Sequence, residues 1–415
     1  MIALASCARR LALPIALAAA VALPARADVI VDWNEKALAF VAQHRMGPPP
    51  AERALAMVHL AMFDAINSIE HRYRPYLVQM PASPTASKEA AAAAAAGAVL
   101  AGLNPQTTVA MRAATEAYLA AIPAGDAKAE GIRIGEAVAA KMLEARANDG
   151  ARAPDTYRPR TAPGVYITTA PTWAPQWSGV KPFTMTSATQ FRPAAPVALT
   201  SKEWAAELGE VKELGGRTST KRTAQQTEDA RFWLEVAGTV YYPVTRTLAT
   251  TKKLALVDCA RLFALTAAAR ADAMIAIFDA KYHYEFWRPV TAIRNADQDD
   301  NPATERDAAW QPIDATPMHP EYPCAHCIAA ASLASVVEAL AGSPEIPEVV
   351  MTSPTAPGVT RRWTNLRTFE QDVAEARILS GFHYRFSTVV GRDMGRRIGE
   401  HAVKTILQPV STASR

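Results

Sequence analysis

Residues 319–341 read HPEYPCAHCIAAASLASVVEALA. The part from 325 to 341 is apolar, rich in alanine and free of glycine and proline, which predicts a buried helix. Pro323 stands where a helix commonly begins. The first N–H groups of such a helix, here at Cys324, Ala325 and His326, have no partner inside the helix and lie at the positive end of its dipole. The segment therefore predicts an anion site at a helix N-terminus.

Outward from this segment, most of the chain is also typical of helices. We expect an all-α protein, because no run of alternating apolar and polar residues is long enough for a useful strand, and no strand–helix alternation occurs. The other predicted helices are 32–45, 50–70, 86–103, 105–122, 127–148, 201–214, 221–238, 253–281, 367–380 and 383–407.

The segment 151–200 interrupts the helical pattern. It holds eight prolines and the aromatic residues Trp173, Trp177 and Phe183. A loop of this length in a compact protein is usually functional or disordered. The aromatic residues favour an ordered loop packed on the body of the protein. The expected organisation is a helical part over 28–150, this loop over 151–200, and a second helical part over 201–415.

Composition excludes several classes of protein. The 415 residues are 50% hydrophobic and 20% charged, which excludes intrinsic disorder. The formal net charge of +4 shows no basic footprint for nucleic acid. A chain of this length is sufficient for one large core or two smaller ones.

The first 27 residues resemble a secretory signal peptide, with a basic pair, an apolar run and a small-x-small site that ends at Ala27. Cleavage before Asp28 would lower the formal charge to +1, because the leader carries three arginines. We expect a soluble mature protein in the periplasm or outside the cell. An uncleaved N-terminal membrane anchor is the alternative. Three cysteines would remain, so an oxidising compartment allows at most one internal disulfide.

Two further segments collect cations and histidines. Residues 281–289 read KYHYEFWRP, and a helix through them would place Lys281 and Arg288 on one face, two turns apart, and end near Pro289. Residues 377–383 read RILSGFH. A break at the Ser–Gly pair would let Arg377 and His383 approach one point from the end of one helix and the start of the next.

The three segments together resemble the superfamily of vanadium-dependent haloperoxidases and type 2 phosphatidic acid phosphatases. Its motifs are K-x6-R-P, P-S-G-H and S-R-x5-H. They match 281–289, 323–326 and 376–383 in the same order with the same internal spacing. The resemblance implies an all-α bundle that binds phosphate or vanadate between helices.

The resemblance also implies roles for individual residues. Lys281, Arg288 and Arg377 would neutralise the oxyanion, and the backbone at Cys324 and Ala325 would add donors. The apical group, which ligates vanadium in a haloperoxidase or attacks phosphorus in a phosphatase, would be His383, and the general acid or base would be His326.

Several residues favour the haloperoxidase branch. The sequence from Phe286 to Pro289 is that branch's F-W-R-P form, which places Trp287 on the substrate side. His319 falls where bromide-oxidising members can carry a histidine. Vanadate would then be the cofactor, and hydrogen peroxide and a halide the small-molecule partners. The alternatives are a periplasmic phosphomonoesterase, which needs no cofactor, and an oxyanion-binding relative without turnover.

Four positions depart from the superfamily pattern, and the mildest change is Ala376 in place of the serine before Arg377. Cys324 replaces its serine, Ala325 its glycine, and Ser387 stands where an aspartate normally orients the apical histidine. The residues Glu285 and Asp393 are candidates to replace that aspartate. These departures leave backbone donation intact and weaken the prediction of turnover.

The cysteine pair leaves other interpretations open. Cys324 and Cys327 form a C-x-x-C, which could be a structural or regulatory disulfide, or a thiol oxidoreductase motif, although the strand–helix context of such enzymes is missing. A zinc site from these cysteines with His319 and His326 would be cramped and surrounded by cations. Attachment of c-type haem is excluded because no histidine follows Cys327.

Overall fold

A computed structural model describes residues 29–168, 170–235 and 240–410. The predicted signal peptide, residues 1–27, and its cleavage site lie outside them. The described residues form thirteen α-helices and one β-hairpin, which confirms the all-α class. The helices are α1 Val29–Gln43, α2 Pro48–Glu70, α3 Lys88–Leu103, α4 Thr108–Ala120, α5 Asp126–Ala145, α6 Lys202–Leu214, α7 Ala224–Phe232, α8 Tyr242–Thr251, α9 Leu256–Tyr284, α10 Pro289–Arg294, α11 Ala325–Ala341, α12 Leu366–Leu379 and α13 Arg385–Thr405.

The long helix α9 lies at the centre of the main core. Nearly every residue from Val257 to Lys281 is buried, because α2, α11 and α13 pack around it. A helix that is apolar on all sides is typical of the interior of a large protein. The predicted start at residue 253 and end at 281 differ from the observed bounds by three residues each.

Small residues bring α13 against α11, the helix whose N-terminus carries the predicted anion site. Gly391, Gly395 and Gly399 recur at four-residue intervals on one face of α13. A Cβ at each of them would come within 2.5–2.6 Å of a carbonyl oxygen of α11 or of its N-cap residue. The two backbones therefore approach more closely than larger side chains would allow.

The hairpin was not expected. Its antiparallel strands, β1 Glu345–Ser353 and β2 Ala356–Asn365, lie between α11 and α12. The expected absence of strands was therefore wrong at this place. Burial does alternate along β1, but Val350 is exposed and Ser353 is buried. Apolar and polar residues therefore do not alternate in the sequence as burial does in the strand. Trp363 of β2 packs on Trp233, with ring centroids 5.7 Å apart.

The proline-rich segment 151–200 is ordered over its described part and holds a short 3₁₀ helix, Pro175–Gly179. The carboxylate of Asp272 on α9 fixes it by accepting hydrogen bonds from the backbone N–H groups of Phe183, Thr184 and Met185. Within the described ranges, no helix combines the length and apolarity needed to cross a membrane.

Candidate active site

The segment 281–289 turns a corner instead of continuing as a helix. Helix α9 ends at Tyr284, and Glu285 caps it in the left-handed conformation, with φ of 49°. Arg288 is the N-cap of α10, and Pro289 occupies the first turn of that helix. The prediction of both cations on one face of one helix was wrong, because Pro289 starts a helix here.

The anion loop, defined as residues 319–324, leads into α11. Cys324 is the N-cap, so the helix begins two residues after Pro323. The N–H of Cys324 donates to the carbonyl of Ser387 at 3.2 Å, and the N–H of Cys327 donates to Sγ of Cys324 at 3.3 Å. The expectation of a free N–H at Cys324 was therefore wrong. The N–H groups of Ala325 and His326 have no hydrogen-bond partner in the described part of the chain.

Cys324 and Cys327 are joined in a disulfide within this first turn of α11. Both residues are buried against Ala374 of α12. With their sulfur atoms bonded to each other, neither cysteine is a thiolate ligand for zinc. Within the described ranges, no group of three or more His, Cys, Asp or Glu residues is arranged to hold a metal ion.

The break predicted between Arg377 and His383 is present. Helix α12 ends at Leu379, Gly381 adopts φ of 75°, and α13 begins at Arg385. A Cβ at Gly381 would also come within 2.6 Å of the carbonyl oxygen of Gly215. Glycine is therefore required at this turn for its conformation and for space.

Lys281 clamps the anion loop to α9. Its Nζ donates to the carbonyl oxygens of Pro320, Glu321 and Pro323 at 3.0, 2.6 and 2.5 Å. These bonds use all three donors of an ammonium group. Burial, and then repulsion from Arg288, lower the pKa of Lys281 well below its ordinary value. Direct contact of Lys281 with an oxyanion stays a prediction.

Arg288 bridges the anion loop and the start of α13. Its Nε donates to the carbonyl of His319 at 2.9 Å, and one terminal nitrogen donates to the carbonyl of Phe382 at 3.0 Å. That same nitrogen lies 3.4 Å from Nε2 of His383. The other terminal nitrogen lies 3.0 Å from Nδ1 of His319. The guanidinium therefore sets the positions of two predicted site histidines.

Arg377 keeps part of its donor capacity unused. One terminal nitrogen donates to the carbonyl of Trp233 at 2.5 Å, and the guanidinium lies 4.9 Å from the ring centroid of Phe382. Its Nε is buried and has no hydrogen-bond partner among the described residues. Burial lowers the pKa of both Arg377 and Arg288, although a guanidinium stays charged in proteins. An unpartnered donor of this kind fits an anionic ligand.

Glu321 orients His383, and sequence reasoning missed it. Its Oε1 lies 2.6 Å from Nδ1 of His383, and both side chains are buried. Burial raises the pKa of Glu321 to about 7, while Lys281 and Arg288 act in the opposite direction. The Ser387 hydroxyl lies close enough to lower that pKa but outside full hydrogen-bond geometry.

The two candidates proposed from the sequence for this orienting role lie elsewhere. Glu285 pairs with Arg160 at 2.8 Å, and Asp393 faces solvent with Arg397 at 3.7 Å. Both predictions were wrong. Glu321 is 62 residues before His383 in a loop between two prolines, and no local spacing relates the two.

Burial and the nearby cations keep the site histidines neutral. The pKa values of His319, His326 and His383 all lie well below the ordinary value, first because of burial and then because of repulsion from arginines. For His383, an N–H at Nδ1 that donates to Glu321 leaves Nε2 as a lone pair. That tautomer agrees with the position of the Arg288 donor beside Nε2.

These groups meet at one cavity of about 380 Å³. His319, His326, His383, Arg377 and Ala325 line it. Lys281, Arg288 and Cys324 are buried and do not line it. The prediction of Trp287 on the substrate side was wrong, because this residue lies outside the cavity, in a second aromatic core where its ring stacks on that of Trp204 with centroids 5.9 Å apart. The roles assigned to the other residues from the sequence stay predictions, but the three motifs converge on one place.

Comparison with known families gives matches over both helical parts. Residues 27–173 match the vanadium chloroperoxidase N-terminal domain, and residues 261–412 match the second helical-bundle domain of the same protein family. A vanadium chloroperoxidase from Curvularia inaequalis is 31% identical over 134 residues, which is 26% of this chain. The match spans 21% of that relative's length.

Solved structures share the fold. A bacterial vanadium-dependent iodoperoxidase superposes with a TM-score of 0.79 at 20% identity, over 92% of this chain and 97% of the other. The holo form of a bacterial vanadium-dependent chloroperoxidase gives 0.67 at 17% identity, over 86% and 92%. The fold, the two family domains and the three converging motifs agree, and the chain belongs to the vanadium haloperoxidase superfamily.

Proposed function

We propose that the protein is a vanadium-dependent haloperoxidase, which oxidises a halide with hydrogen peroxide at a vanadate held by His383. The observation that carries this proposal is the excess of buried positive charge around His383. Lys281, Arg288 and Arg377 are all buried. The carboxyl group that faces two of them is Glu321, which offers one negative charge to the three cations. A buried charge without a partner is costly, so an anion belongs here.

The residues fit vanadate in particular. The unpartnered Nε of Arg377 and the free N–H groups of Ala325 and His326 would bind its oxygens. The lone pair at Nε2 of His383 would bind the metal, because a metal-binding histidine usually donates its other ring N–H to a carboxylate, here that of Glu321. Bound vanadate would supply a Lewis-acidic centre that activates hydrogen peroxide toward a halide.

His326 would accept a proton from peroxide. Its Nε2 lies 3.4 Å from the carbonyl oxygen of Glu235, so an N–H at that atom leaves Nδ1 as the acceptor. A neutral imidazole is required for this role, and the lowered pKa supplies it. The named relatives are chloroperoxidases and an iodoperoxidase, which supports halide oxidation over phosphate hydrolysis.

A paired assay tests the proposal. One arm follows bromination of an indicator dye, with vanadate and peroxide present, and is repeated with iodide and chloride. The other arm follows hydrolysis of an aryl phosphate without vanadate. We expect halide oxidation that depends on vanadate. Hydrolysis alone, inhibited by vanadate, would assign a phosphatase, and anion binding without either reaction would assign a non-catalytic relative.

The variant His383→Ala removes the atom that would hold the metal. It should abolish halide oxidation while the protein stays folded. His401→Ala is the matched control, because that histidine is partly buried on α13 and contacts the carbonyl of Thr184 away from the cavity. Unchanged turnover in His383→Ala would refute the site.

We also propose export to the periplasm, on the evidence of the first 27 residues. Expression of the full chain in a bacterial host and N-terminal sequencing of the periplasmic fraction should give a mature protein that begins at Asp28. Retention of Met1 in the membrane fraction would assign an anchor.

A further inference from the structure

The cavity is larger than an oxyanion needs. At about 30 Å³ per water molecule, 380 Å³ corresponds to about thirteen waters. The part beyond the histidines, here called the aromatic chamber, is lined by Trp173, Leu234, Tyr241, Met274 and Phe278. Cavities of this size and lining are typical of sites for small organic molecules.

The aromatic chamber adjoins the oxyanion end directly. The ring centroid of His319 lies 5.3 Å from that of Phe278 and 6.2 Å from that of Trp173. The backbone N–H of Trp173 donates to the backbone carbonyl of Met318, a half-exposed residue that also lines the cavity. The segment 151–200 therefore contributes one wall of the chamber. A ring bound there would lie beside the predicted site of oxidation.

Two buried charged residues that line the cavity, Arg270 and Glu52, neutralise each other, and the carboxylate that also lines it, Asp314, is exposed. Arg270 donates to both carboxylate oxygens of Glu52 and, at 3.1 Å, to the carbonyl of Ala329. Its guanidinium also lies 4.3 Å from the ring centroid of Tyr241. Because this buried pair has no net charge and its donors are used, the chamber is suited to an uncharged ligand.

One polar group in the chamber has no partner. The hydroxyl of Tyr241 is buried and makes no hydrogen bond to the described residues, and the residue is only 2% exposed. Burial raises the pKa of Tyr241 to about 12, so the hydroxyl stays protonated and can donate or accept. The neighbouring Tyr242 also has an unpartnered hydroxyl, but it does not line the cavity. Buried polar groups are rarely left unsatisfied, so a ligand hydroxyl or N–H is the expected partner.

We infer that the aromatic chamber binds an uncharged aromatic substrate of the phenol or indole class, with its polar group at the Tyr241 hydroxyl and its ring among Trp173 and Phe278. Aromatic rings favour such surroundings at centroid distances of about 4.5–7 Å. This inference rests on the proposed function. Peroxide oxidises the halide by two electrons, X⁻ + H₂O₂ + H⁺ → HOX + H₂O. The ring then takes the halogen and loses a proton, ArH + HOX → ArX + H₂O.

Binding of phenol to the vanadate-loaded protein, followed by isothermal titration without peroxide, tests the inference apart from turnover. Phenol should bind saturably, and cyclohexanol and benzoate should bind more weakly. Tyr241→Phe should weaken phenol binding about 2- to 10-fold, the value of one hydrogen bond. Tyr242→Phe is the matched control and should bind phenol as the wild type does.

A second measurement separates the inference from the proposed function. Triiodide formation from iodide, with no organic substrate, should occur in the wild type and should not depend on phenol. Bromination of phenol by the wild type should give an ortho-to-para ratio different from that of free hypobromous acid. Triiodide formation with no saturable phenol binding, or with the ratio of the free reagent, would overturn the inference and leave the function standing. Phenol binding without halide oxidation would overturn the function and leave the site.

Discussion

Replacing Glu321 with glutamine tests how the site holds vanadium. The carboxylate lies 2.6 Å from Nδ1 of His383, in a buried pair. It fixes the proton on Nδ1 and leaves Nε2 free. A glutamine amide either accepts more weakly from Nδ1 or donates to it, and donation would move the proton to Nε2 and block that atom.

The change also removes a negative charge near two cations, which by itself would strengthen binding of any anion. The measured quantity is therefore the ratio of the dissociation constants for phosphate and vanadate. The two anions share the charge effect, whereas the bond to Nε2 of His383 belongs to vanadate. Loss of a group that orients a metal-binding histidine typically costs 10- to 100-fold in affinity. Vanadate selectivity of Glu321→Gln should therefore fall by about that factor, or about 1.4–2.7 kcal/mol.

Isothermal titration with each anion measures this ratio. The control is Asp272→Asn, which removes another buried carboxylate, one that accepts from the Thr184 hydroxyl at 2.6 Å and does not line the cavity. It should lower stability and leave the ratio unchanged. If Glu321→Gln keeps the wild-type ratio while His383→Ala loses it, the orienting role of Glu321 is wrong.

Three other perturbations have expected outcomes. Arg377→Lys removes the unpartnered Nε and should weaken vanadate binding about tenfold by titration, since a charge-assisted bond is lost. Gly391→Ala would place a Cβ 2.6 Å from the Cys324 carbonyl oxygen, which should lower the free energy of unfolding by about 1–3 kcal/mol and so lower the melting temperature. Gly209→Ala on α6 is the control, because its Cβ meets no atom within 4 Å and the melting temperature should not fall. Burial lowers the pKa of His59 to about 3, so below pH 6.5 the unfolded chain binds a proton that the folded chain does not. The free energy of unfolding is therefore at its full value above pH 6.5 and falls as the pH drops toward 3. In His59→Gln the free energy of unfolding should therefore fall less steeply with acid, by about 1.4 kcal/mol per pH unit below 6.5, as followed by melting temperature against pH. An unchanged slope would contradict this assignment.

Local signals in the sequence were sufficient for most of the helices. The predicted helix 325–341 has the observed bounds of α11, because an apolar alanine-rich run ends at Gly342, a left-handed cap. The break between Arg377 and His383 was also predicted correctly, since glycine after serine marks a helix end. The hairpin was missed because exposed Val350 and buried Ser353 invert the usual pattern.

Partners that depend on the path of a loop could not be predicted. Glu321 follows a proline and precedes Tyr322, with nothing local to distinguish it from a surface loop carboxylate. Its approach to His383 needs both the anion loop and the break before α13 to be in place. The three carbonyl oxygens that accept from Lys281 could not be predicted for the same reason. Spacing locates a cation on a helix, but not the carbonyl oxygens that a neighbouring loop brings to it.

The three cations therefore do different work in the folded chain. Lys281 donates its hydrogen bonds to the anion loop, and Arg288 donates most of its hydrogen bonds to that loop and to the turn before α13. Carbonyl oxygens satisfy these donors, but they carry only partial charge and do not neutralise the two cations. Among the described residues, Arg377 is the one of the three that lines the cavity. An oxyanion that enters the cavity would thus contact Arg377 directly and be attracted at longer range by Lys281 and Arg288. These two residues hold His319, Glu321 and the N-terminus of α11 in position.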